Sequence, residues 1–222
     1  MKQQLRDVLA EPSVVDMIAR AVGAHVVDQL KGEIMSLKQT VAKKDGEIKE
    51  LHDKLDNLEQ YTRCNSVRIG PVPERLNENT DNIVIKLAES VAVQLNVSDI
   101  DRSHRVGKIT EGPNQRPRSI IVKFSTYRAK QSLMKARKGL NKTDVTKTLG
   151  DQGWPRLPSA SPRVFINDDL TASRASVAAK ARQLKRDEKI QDTWVRDGLV
   201  FIKHRDKIYR FTRLSELSPF SV

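Results

Sequence analysis

Cysteine, aromatic residues and long apolar runs are scarce in this chain of 222 residues, and each scarcity excludes a class of protein. The single cysteine, Cys64, rules out an intramolecular disulfide and fits a reducing compartment. Four scattered histidines and no second cysteine leave no spacing typical of a zinc site, so we expect no structural metal and no cofactor. Because only 5% of the residues are aromatic, any hydrophobic core should be modest.

The sequence also lacks the features of a membrane-spanning helix and of a secretory signal peptide. No apolar run approaches the roughly eighteen residues that a membrane-spanning helix needs. The N-terminal apolar residues are interrupted by Asp16, Arg20 and His25, and no small-residue cleavage site follows them. We therefore expect a soluble, intracellular protein without a membrane partner.

Positive charge is concentrated in one part of the chain. The net charge is +12, but residues 1–62 have 9 basic and 11 acidic side chains, residues 63–170 have 19 and 11, and residues 171–222 have 12 and 6. A basic region beside a nearly neutral one is the electrostatic pattern expected for a polyanionic partner, most often nucleic acid. The alternative is a basic surface that serves solubility alone.

Residues 27–62 have an unbroken heptad pattern, with inward positions spaced alternately three and four residues apart. Because one helix cannot bury an apolar stripe this narrow, the segment predicts a parallel coiled coil between copies of the chain. The alternative, one amphipathic helix packed on its own domain, normally has a wider apolar face. The candidate oligomerisation residues are Leu30, Ile34, Leu37, Val41, Ile48, Leu51, Lys54, Leu55, Leu58 and Glu59.

The residues of the stripe leave the number of helices open. β-branched residues at the first heptad position, such as Ile34 and Ile48, with leucine at the fourth favour two strands. Lys44 and Thr62 also lie on the stripe and weaken the seam.

Residues 1–26 precede the coil and predict a short helix that starts after Pro12. Ser13 is a suitable capping residue for it. Gly23 stands where the heptad pattern would require an apolar residue, so the coiled coil is expected to begin at Val27.

Residues 63–170 alternate between strand and helix patterns. Strands are predicted at residues 65–70, 100–106, 119–124 and 164–167. One helix is predicted to open with the suitable capping residues Asn79, Thr80 and Asp81 and to have one apolar face as far as Leu95, and another helix is predicted at residues 126–138. The order βαββαβ is that of a ferredoxin-like split βαβ sandwich, the topology of RNA-recognition-motif domains. Residues 139–163, which contain glycine and proline without periodicity, are expected to form a flexible insertion.

Residues 171–222 predict a small, basic α+β domain. Thr171 is the expected cap of a helix, and the pair Asp197 and Gly198 is a strong hairpin signal between strands at residues 193–196 and 199–202. A third strand is predicted at residues 207–211. We expect Trp194 and Phe201 to fill the core of this domain, whereas Tyr209 could present a stacking face.

Four stretches of the chain match one known family in their residues and in their order. They are LEQYTRCNSVRI at residues 58–69, DRSHRVG at 101–107, RSIIVKF at 118–124 and VFINDDL at 164–170. With the preceding rod, they resemble the first-open-reading-frame protein of LINE-type non-LTR retrotransposons. The resemblance implies homotrimers that coat single-stranded RNA and act as nucleic-acid chaperones, in cytoplasmic ribonucleoprotein particles or in the nucleus.

The resemblance implies a role for two further features of the sequence, residues 54–59 and Arg137. Residues 54–59, KLDNLE, are similar to a trimer-specifying signature of the form Arg-hydrophobic-x-x-hydrophobic-Glu, with Lys54 in place of arginine. This similarity favours a trimer over a dimer. Arg137 matches the family's basic residue before a Lys-Gly step at the end of the second helix.

Few aromatic residues are available for base stacking in the predicted first and third strands, where only Phe124 occurs. Binding of single-stranded RNA or DNA should therefore depend on phosphate contacts and show little sequence preference. The candidate contacts are Arg68, Arg102, Arg105, Arg118, Lys123, Arg128, Lys135, Arg137, Arg174, Lys180 and Arg196.

Two other functions compete with nucleic-acid binding. A metal-dependent nuclease would need paired acids, and the available pairs are Asp99 with Asp101 and Asp168 with Asp169. No third ligand, general base or phosphate-binding glycine loop accompanies them, so we expect no enzymatic activity and no catalytic residue. The other competing function is that of a coiled-coil scaffold that binds a host protein partner.

Overall fold

The structure, a computed structural model, describes Arg6 and residues 11–108, 117–140, 142, 145–150 and 163–220. These residues form a mixed α+β protein with one long N-terminal helix and two antiparallel sheets. The chain divides into two compact units, Met1–Leu55 and Asp56–Val222. Among the described helices, none combines the length and the hydropathy that a bilayer crossing requires.

Helix α1 (Pro12–Thr62) is a single helix of 51 residues. The short helix expected within residues 1–26 is therefore not separate, since from Pro12 onward it is the start of α1. Residues 1–5 and 7–10 lie outside the described part. Gly23 does not break the helix, because one glycine costs only about 1 kcal/mol relative to alanine and the flanking helix-forming residues offset it.

The apolar stripe of α1 is exposed to solvent in the single chain. Its aliphatic side chains at the predicted oligomerisation positions are between 50% and 63% exposed: Leu30, Ile34, Leu37, Val41, Ile48, Leu51, Leu55 and Leu58. Lys54 forms an ion pair along the helix with Glu50 at 2.6 Å, and Glu59 forms one with Arg63 at 2.7 Å.

The first sheet contains strands β1 (Ser66–Gly70), β2 (Ile100–Val106), β3 (Ser119–Phe124) and β4 (Phe165–Asp168). Their order across the sheet is β2-β3-β1-β4, and all neighbouring strands are antiparallel. The four strands predicted from apolar alternation are confirmed, each within one residue of its predicted bounds.

Helices α2 (Thr80–Glu89) and α3 (Tyr127–Leu140) follow β1 and β3. Asn79 caps α2 as predicted, because its side chain accepts a hydrogen bond from the backbone N–H of Asn82 at 3.0 Å. The helix ends earlier than the apolar pattern suggests, since Ala92 has a φ of 59°, which a right-handed helix does not allow.

The core of this part lies between one face of the first sheet and the helices. Alternate strand residues, including Val67, Ile120 and Phe124, are buried together with Leu87 of α2 and Leu133 of α3. Because side chains alternate across a strand, the residues between them lie on the opposite face of the sheet.

Part of the expected flexible insertion is a helix that belongs to this core. Helix α4 (Val145–Leu149) follows α3, and Val145 and Leu149 are buried because their i, i+4 spacing puts them on one helix face. The expectation of a flexible insertion over residues 139–163 is therefore wrong for residues 145–149. Residues 151–162 lie outside the described part.

The C-terminal part contains helix α5 (Ala172–Arg186) and strands β5 (Asp192–Arg196), β6 (Leu199–His204) and β7 (Lys207–Phe211) in the order β5-β6-β7. The predicted cap is confirmed, since Thr171 Oγ1 accepts a hydrogen bond from the backbone N–H of Arg174. The predicted hairpin is also confirmed. Asp197 and Gly198 have φ values of 52° and 74°, and a type I′ turn requires positive values at both positions.

Candidate nucleic-acid interface

Arg174, predicted to contact phosphate, is instead buried at the centre of a polar network. Its side chain is 5% exposed, and its Nε donates to Asp56 Oδ2 at 2.8 Å. The other guanidinium nitrogens donate to Asn57 Oδ1 at 2.6 Å and to the carbonyl of Gly198 at 3.0 Å. The prediction was wrong for Arg174, because these three acceptors leave the guanidinium no free donor edge for a phosphate.

Gln60 completes this network from the last turn of α1. Its Nε2 donates to the carbonyl of Asp169 at 3.0 Å, and its Oε1 accepts from the backbone N–H of Thr171 at 3.0 Å. A Cβ at Gly198 would lie 2.6 Å from Gln60 Cδ, so only glycine fits this close approach. The network thus connects the end of α1 to the start of α5 and to the β5–β6 turn.

Arg105 and Arg118 are also structural residues. Arg105 lies on the helix-facing side of β2, its side chain is 5% exposed, and it donates to Glu78 at 2.5 Å and to three backbone carbonyls. Arg118 donates from Nε to Glu74 Oε1 at 2.9 Å. The prediction of a phosphate contact was wrong for Arg105, because buried acceptors occupy its guanidinium. Arg118 keeps 23% of its side chain exposed, so its phosphate contact stays a prediction.

The ion pair between Arg118 and Glu74 makes the free energy of unfolding depend on pH. Hydrogen bonding from Arg118 lowers the pKa of the Glu74 carboxyl below its ordinary value of 4.5. Because the pKa is lower in the folded state, the contribution of this pair is fully present above pH 4.5 and is lost as the pH falls through the lowered value. The pair is partly exposed, so solvent screening keeps this contribution small.

We expect Glu74→Gln to be less stable than the unmodified protein at about pH 6, and we expect this difference to be smaller at about pH 3. Chemical denaturation of both proteins at the two pH values measures this difference. A stability difference that is the same at both values would contradict the assignment.

The side of the first sheet that faces away from the core presents a basic surface. Arg68, Arg102 and Lys123 lie on this face, since Arg102 is opposite Lys123 and Arg68 is opposite Ile121 in the strand register. Lys123 Nζ is 2.8 Å from Asp101, and Arg68 Nη2 is 3.1 Å from Asp169. The Lys123–Asp101 pair is about half exposed and contributes little to stability, so a phosphate can replace it, whereas the Asp169 carboxylate that Arg68 contacts is only 4% exposed.

The aromatic residue on this face is Phe165 and not Phe124. Phe124 has the same strand parity as Ile120 and is buried in the core, so it cannot stack on a base. Phe165 at the start of β4 is 47% exposed and pairs with Gly70. The alternation of residues 164–168, with Ile166 buried, was the signal in the sequence that could have revealed Phe165.

A cleft of about 340 Å³ lies at the outer edge of β4, within the unit Asp56–Val222. Two cationic residues at the end of α3, Arg137 and Lys138, line it together with Arg182 of α5. Phe165 and Trp194 add aromatic rings to the lining. The lining therefore combines three cationic residues and two aromatic residues with one acidic residue, Asp168, which is paired with Lys130. This combination suits the phosphates and bases of nucleic acid.

Sequence reasoning identified Arg137 in this cleft but missed Lys138, Arg182 and Trp194. The lining residues come from four elements that are distant in the chain. The only signal that they share in the sequence is that each lies within a helix or strand whose pattern was well defined. The remaining predicted contacts are exposed or half-buried and are not among the lining residues: Arg128, Lys135, Lys180 and Arg196.

Trp194 and Phe201 do not fill the core of the C-terminal part, contrary to expectation. They are opposite each other on β5 and β6, on the face away from Val200 and Ile202, which are buried against α5. Their rings stack with centroids 5.5 Å apart. Tyr209 contacts Phe220 edge to face, with centroids at 5.4 Å.

The acidic pairs considered as metal ligands are engaged in other contacts. Asp99 accepts a hydrogen bond from the backbone of its own turn, and Asp101 pairs with Lys123. Asp168 is buried against Lys130 at 2.6 Å, and Asp169 accepts from Arg63 at 2.7 Å and Arg68 at 3.1 Å. The described part of the chain contains no group of three or more His, Cys, Asp or Glu side chains that could hold a metal ion.

Models of known protein families give no match to this chain, and neither do curated proteins. The function of the cleft and the basic sheet face therefore has to be inferred from the chemistry of their side chains.

Proposed function

We propose that the protein binds single-stranded nucleic acid, mainly through phosphate contacts, and acts as a self-associating nucleic-acid chaperone. The cleft at the edge of β4 is the observation that carries this proposal. Arg137, Lys138 and Arg182 converge there from two helices, and a concave site with three cations attracts a polyanion. The partner is single-stranded RNA or DNA.

The order of the elements supports the proposal. Strands in the order β2-β3-β1-β4, with helices packed on one face and a basic opposite face, are consistent with the βαββαβ arrangement of an RNA-recognition motif. In that arrangement the open face binds unpaired nucleotides. Arg68, Arg102 and Lys123 would extend the path of the strand beyond the cleft.

The exposed stripe of α1 supports self-association. Aliphatic side chains at heptad spacing that are at least half exposed in the single chain need a partner helix. We propose a parallel coiled coil, a trimer rather than a dimer. Joining several basic heads raises avidity without new contacts and permits coating and annealing of strands. The protein would then be the coat protein of a LINE-type retrotransposon, in cytoplasmic or nuclear ribonucleoprotein particles.

A salt titration of oligonucleotide binding tests the phosphate contacts. We expect log Kd to rise linearly with log salt concentration. The triple variant Arg137→Gln, Lys138→Gln, Arg182→Gln should flatten this slope by about 2, since each single-strand phosphate contact contributes about 0.7. Fluorescence anisotropy with a labelled oligothymidylate measures both proteins.

The matched control removes three cations that are not in the cleft, Lys43, Lys49 and Lys86, again by replacement with glutamine. It has the same net charge as the triple variant but should keep the slope nearly unchanged. Equal slopes for the two triple variants would show that net charge and not the cleft determines binding. Affinity that does not depend on salt would overturn the proposed function and favour a scaffold that binds a protein.

A further inference from the structure

We propose that Trp194 is the open end of a prebuilt stacking column and binds one unpaired base in the cleft. The stacking column consists of Trp194, Phe201 and Arg196. This inference rests on the proposed function and adds a base contact to the phosphate contacts, which would explain a preference for single strands over duplexes.

The geometry of the column is that of stacked π systems. The rings of Trp194 and Phe201 are nearly parallel, with an interplanar angle of 5° and centroids 5.5 Å apart. The Arg196 guanidinium carbon lies over the Phe201 ring, 5.3 Å from its centroid. Phe201 therefore has two partners in the column. Trp194 has Phe201 on one side and lines the cleft, so its indole can accept a further flat group.

The column is held in place before any ligand arrives. Trp194 and Phe201 are direct partners in the β5–β6 register, and the turn between these strands is fixed from two sides. Tyr127 Oη donates to Asp197 Oδ1 at 2.9 Å, and Arg174 donates to the carbonyl of Gly198 at 3.0 Å. Because the rings are already ordered, stacking a base on Trp194 costs little conformational entropy.

The surroundings of Trp194 indicate a nucleotide and not an apolar peptide. Arg137, Lys138 and Arg182 line the same cleft, so a group that stacks on the indole is placed beside cations that bind its phosphates. Every base has a π face, so the contact is independent of sequence. A paired base in a duplex has both faces covered by its neighbours and cannot stack on the indole.

The experiment separates bases from phosphates. An oligothymidylate and an abasic strand of equal length have the same phosphates, but only the first has bases. Trp194 is observed alone in a Trp154→Phe background, since Trp154 is the other tryptophan of the chain. We expect the oligothymidylate to quench Trp194 fluorescence and to bind about tenfold more tightly than the abasic strand, which should bind without quenching.

Trp194→Ala should lose the difference between the two strands, whereas Trp194→Phe should keep part of it because a ring remains. Tyr61→Ala is the matched control, since it removes an aromatic ring that is 74% exposed and is not part of the cleft lining. It should keep the full difference. Thermal unfolding of each variant verifies that it is folded.

Three results would overturn the inference. Equal binding of the two strands by the unmodified protein would show that bases are not contacted, while the proposed phosphate binding would stand. A Trp194→Ala variant that weakens both strands by the same factor would show that Trp194 acts only through the fold. If neither strand binds, the proposed function fails together with the inference.

Discussion

Replacing Leu37 and Val41 by aspartate is expected to convert the protein to a monomer and to weaken its binding to a long single strand by about 100-fold or more. Both side chains lie on the heptad stripe and are more than half exposed in the single chain, so they are free to pack against another copy. A charge at these positions would be buried without a partner in the coil. The loss in affinity follows from avidity, which commonly contributes a factor of 10² to 10⁴.

Sedimentation measures the first part of this result and anisotropy the second. The unmodified chain has a mass of 25.1 kDa, and we expect it to sediment at three times that mass, as a trimer. Sedimentation at twice that mass would indicate a dimer. Met35→Asp with Gln39→Asp is the control, because it adds the same charges to α1 outside the stripe. Binding to a strand long enough for only one head should be unchanged in both variants. A protein that is already monomeric without substitution would rule out the coiled coil.

Arg174→Ala is expected to destabilise the unit Asp56–Val222 by about 3 kcal/mol. Removal of the guanidinium leaves Asp56 Oδ2, the Asn57 amide oxygen and the Gly198 carbonyl without this donor, whereas Asp56 Oδ1 keeps its hydrogen bond from Thr171. Breaking a buried ion pair by removing one partner commonly costs 3–5 kcal/mol, and the partial exposure of Asp56 places this pair at the lower end. Urea denaturation followed by circular dichroism measures the loss.

Unlike Arg174→Ala, Arg102→Ala should weaken nucleic-acid binding and leave stability nearly unchanged. Arg102 is exposed on the basic sheet face, so its removal should change stability by less than about 0.5 kcal/mol. It should nevertheless weaken oligonucleotide binding and lower the salt slope by about 0.7. If Arg174→Ala left stability unchanged and weakened binding in the same way as Arg102→Ala, the division of arginines into structural and binding groups would be wrong.

The buried polar network also affects where the two sheets of the unit Asp56–Val222 place their charged side chains. The network of Arg174, Gln60 and Asp169 connects the end of α1 to both sheets, so the cleft and the basic sheet face are held in one arrangement. Arg68 contacts Asp169 from the basic face, which places a strand bound there next to this network. The structural arginines would thus order the surface that we propose to bind nucleic acid.

Local patterns were sufficient to predict most of the elements. The heptad spacing of residues 27–62 predicted a helix with a narrow apolar stripe, since that spacing puts its apolar residues on one side at every turn. Apolar alternation predicted the strands for the same reason, with a period of two. Asn79, Thr171 and the Asp197–Gly198 turn were recognised because capping and turn preferences depend on adjacent residues.

The environment of each cation could not be predicted in this way. Arg102 and Arg105 are three positions apart on one strand, yet Arg102 is exposed, whereas the side chain of Arg105 is only 5% exposed and pairs with Glu78. Each arginine adds one positive charge to the net charge, which therefore does not distinguish their environments. A bulge between Ile100 and Arg102 also shifts the register of β2 against β3, which no local pattern indicated.

The sequence by itself determined the order of helices and strands, the stripe on α1 and the basic character of residues 63–222, because these depend on neighbours within a few positions. Only the tertiary structure decided which arginines stabilise the fold and which rings are available to a ligand. Arg174 and its partner Asp56 are 118 positions apart, and the cleft takes its lining from α3, β4, α5 and β5. Contacts over such separations depend on how the whole chain packs, and packing is a property that no local pattern contains.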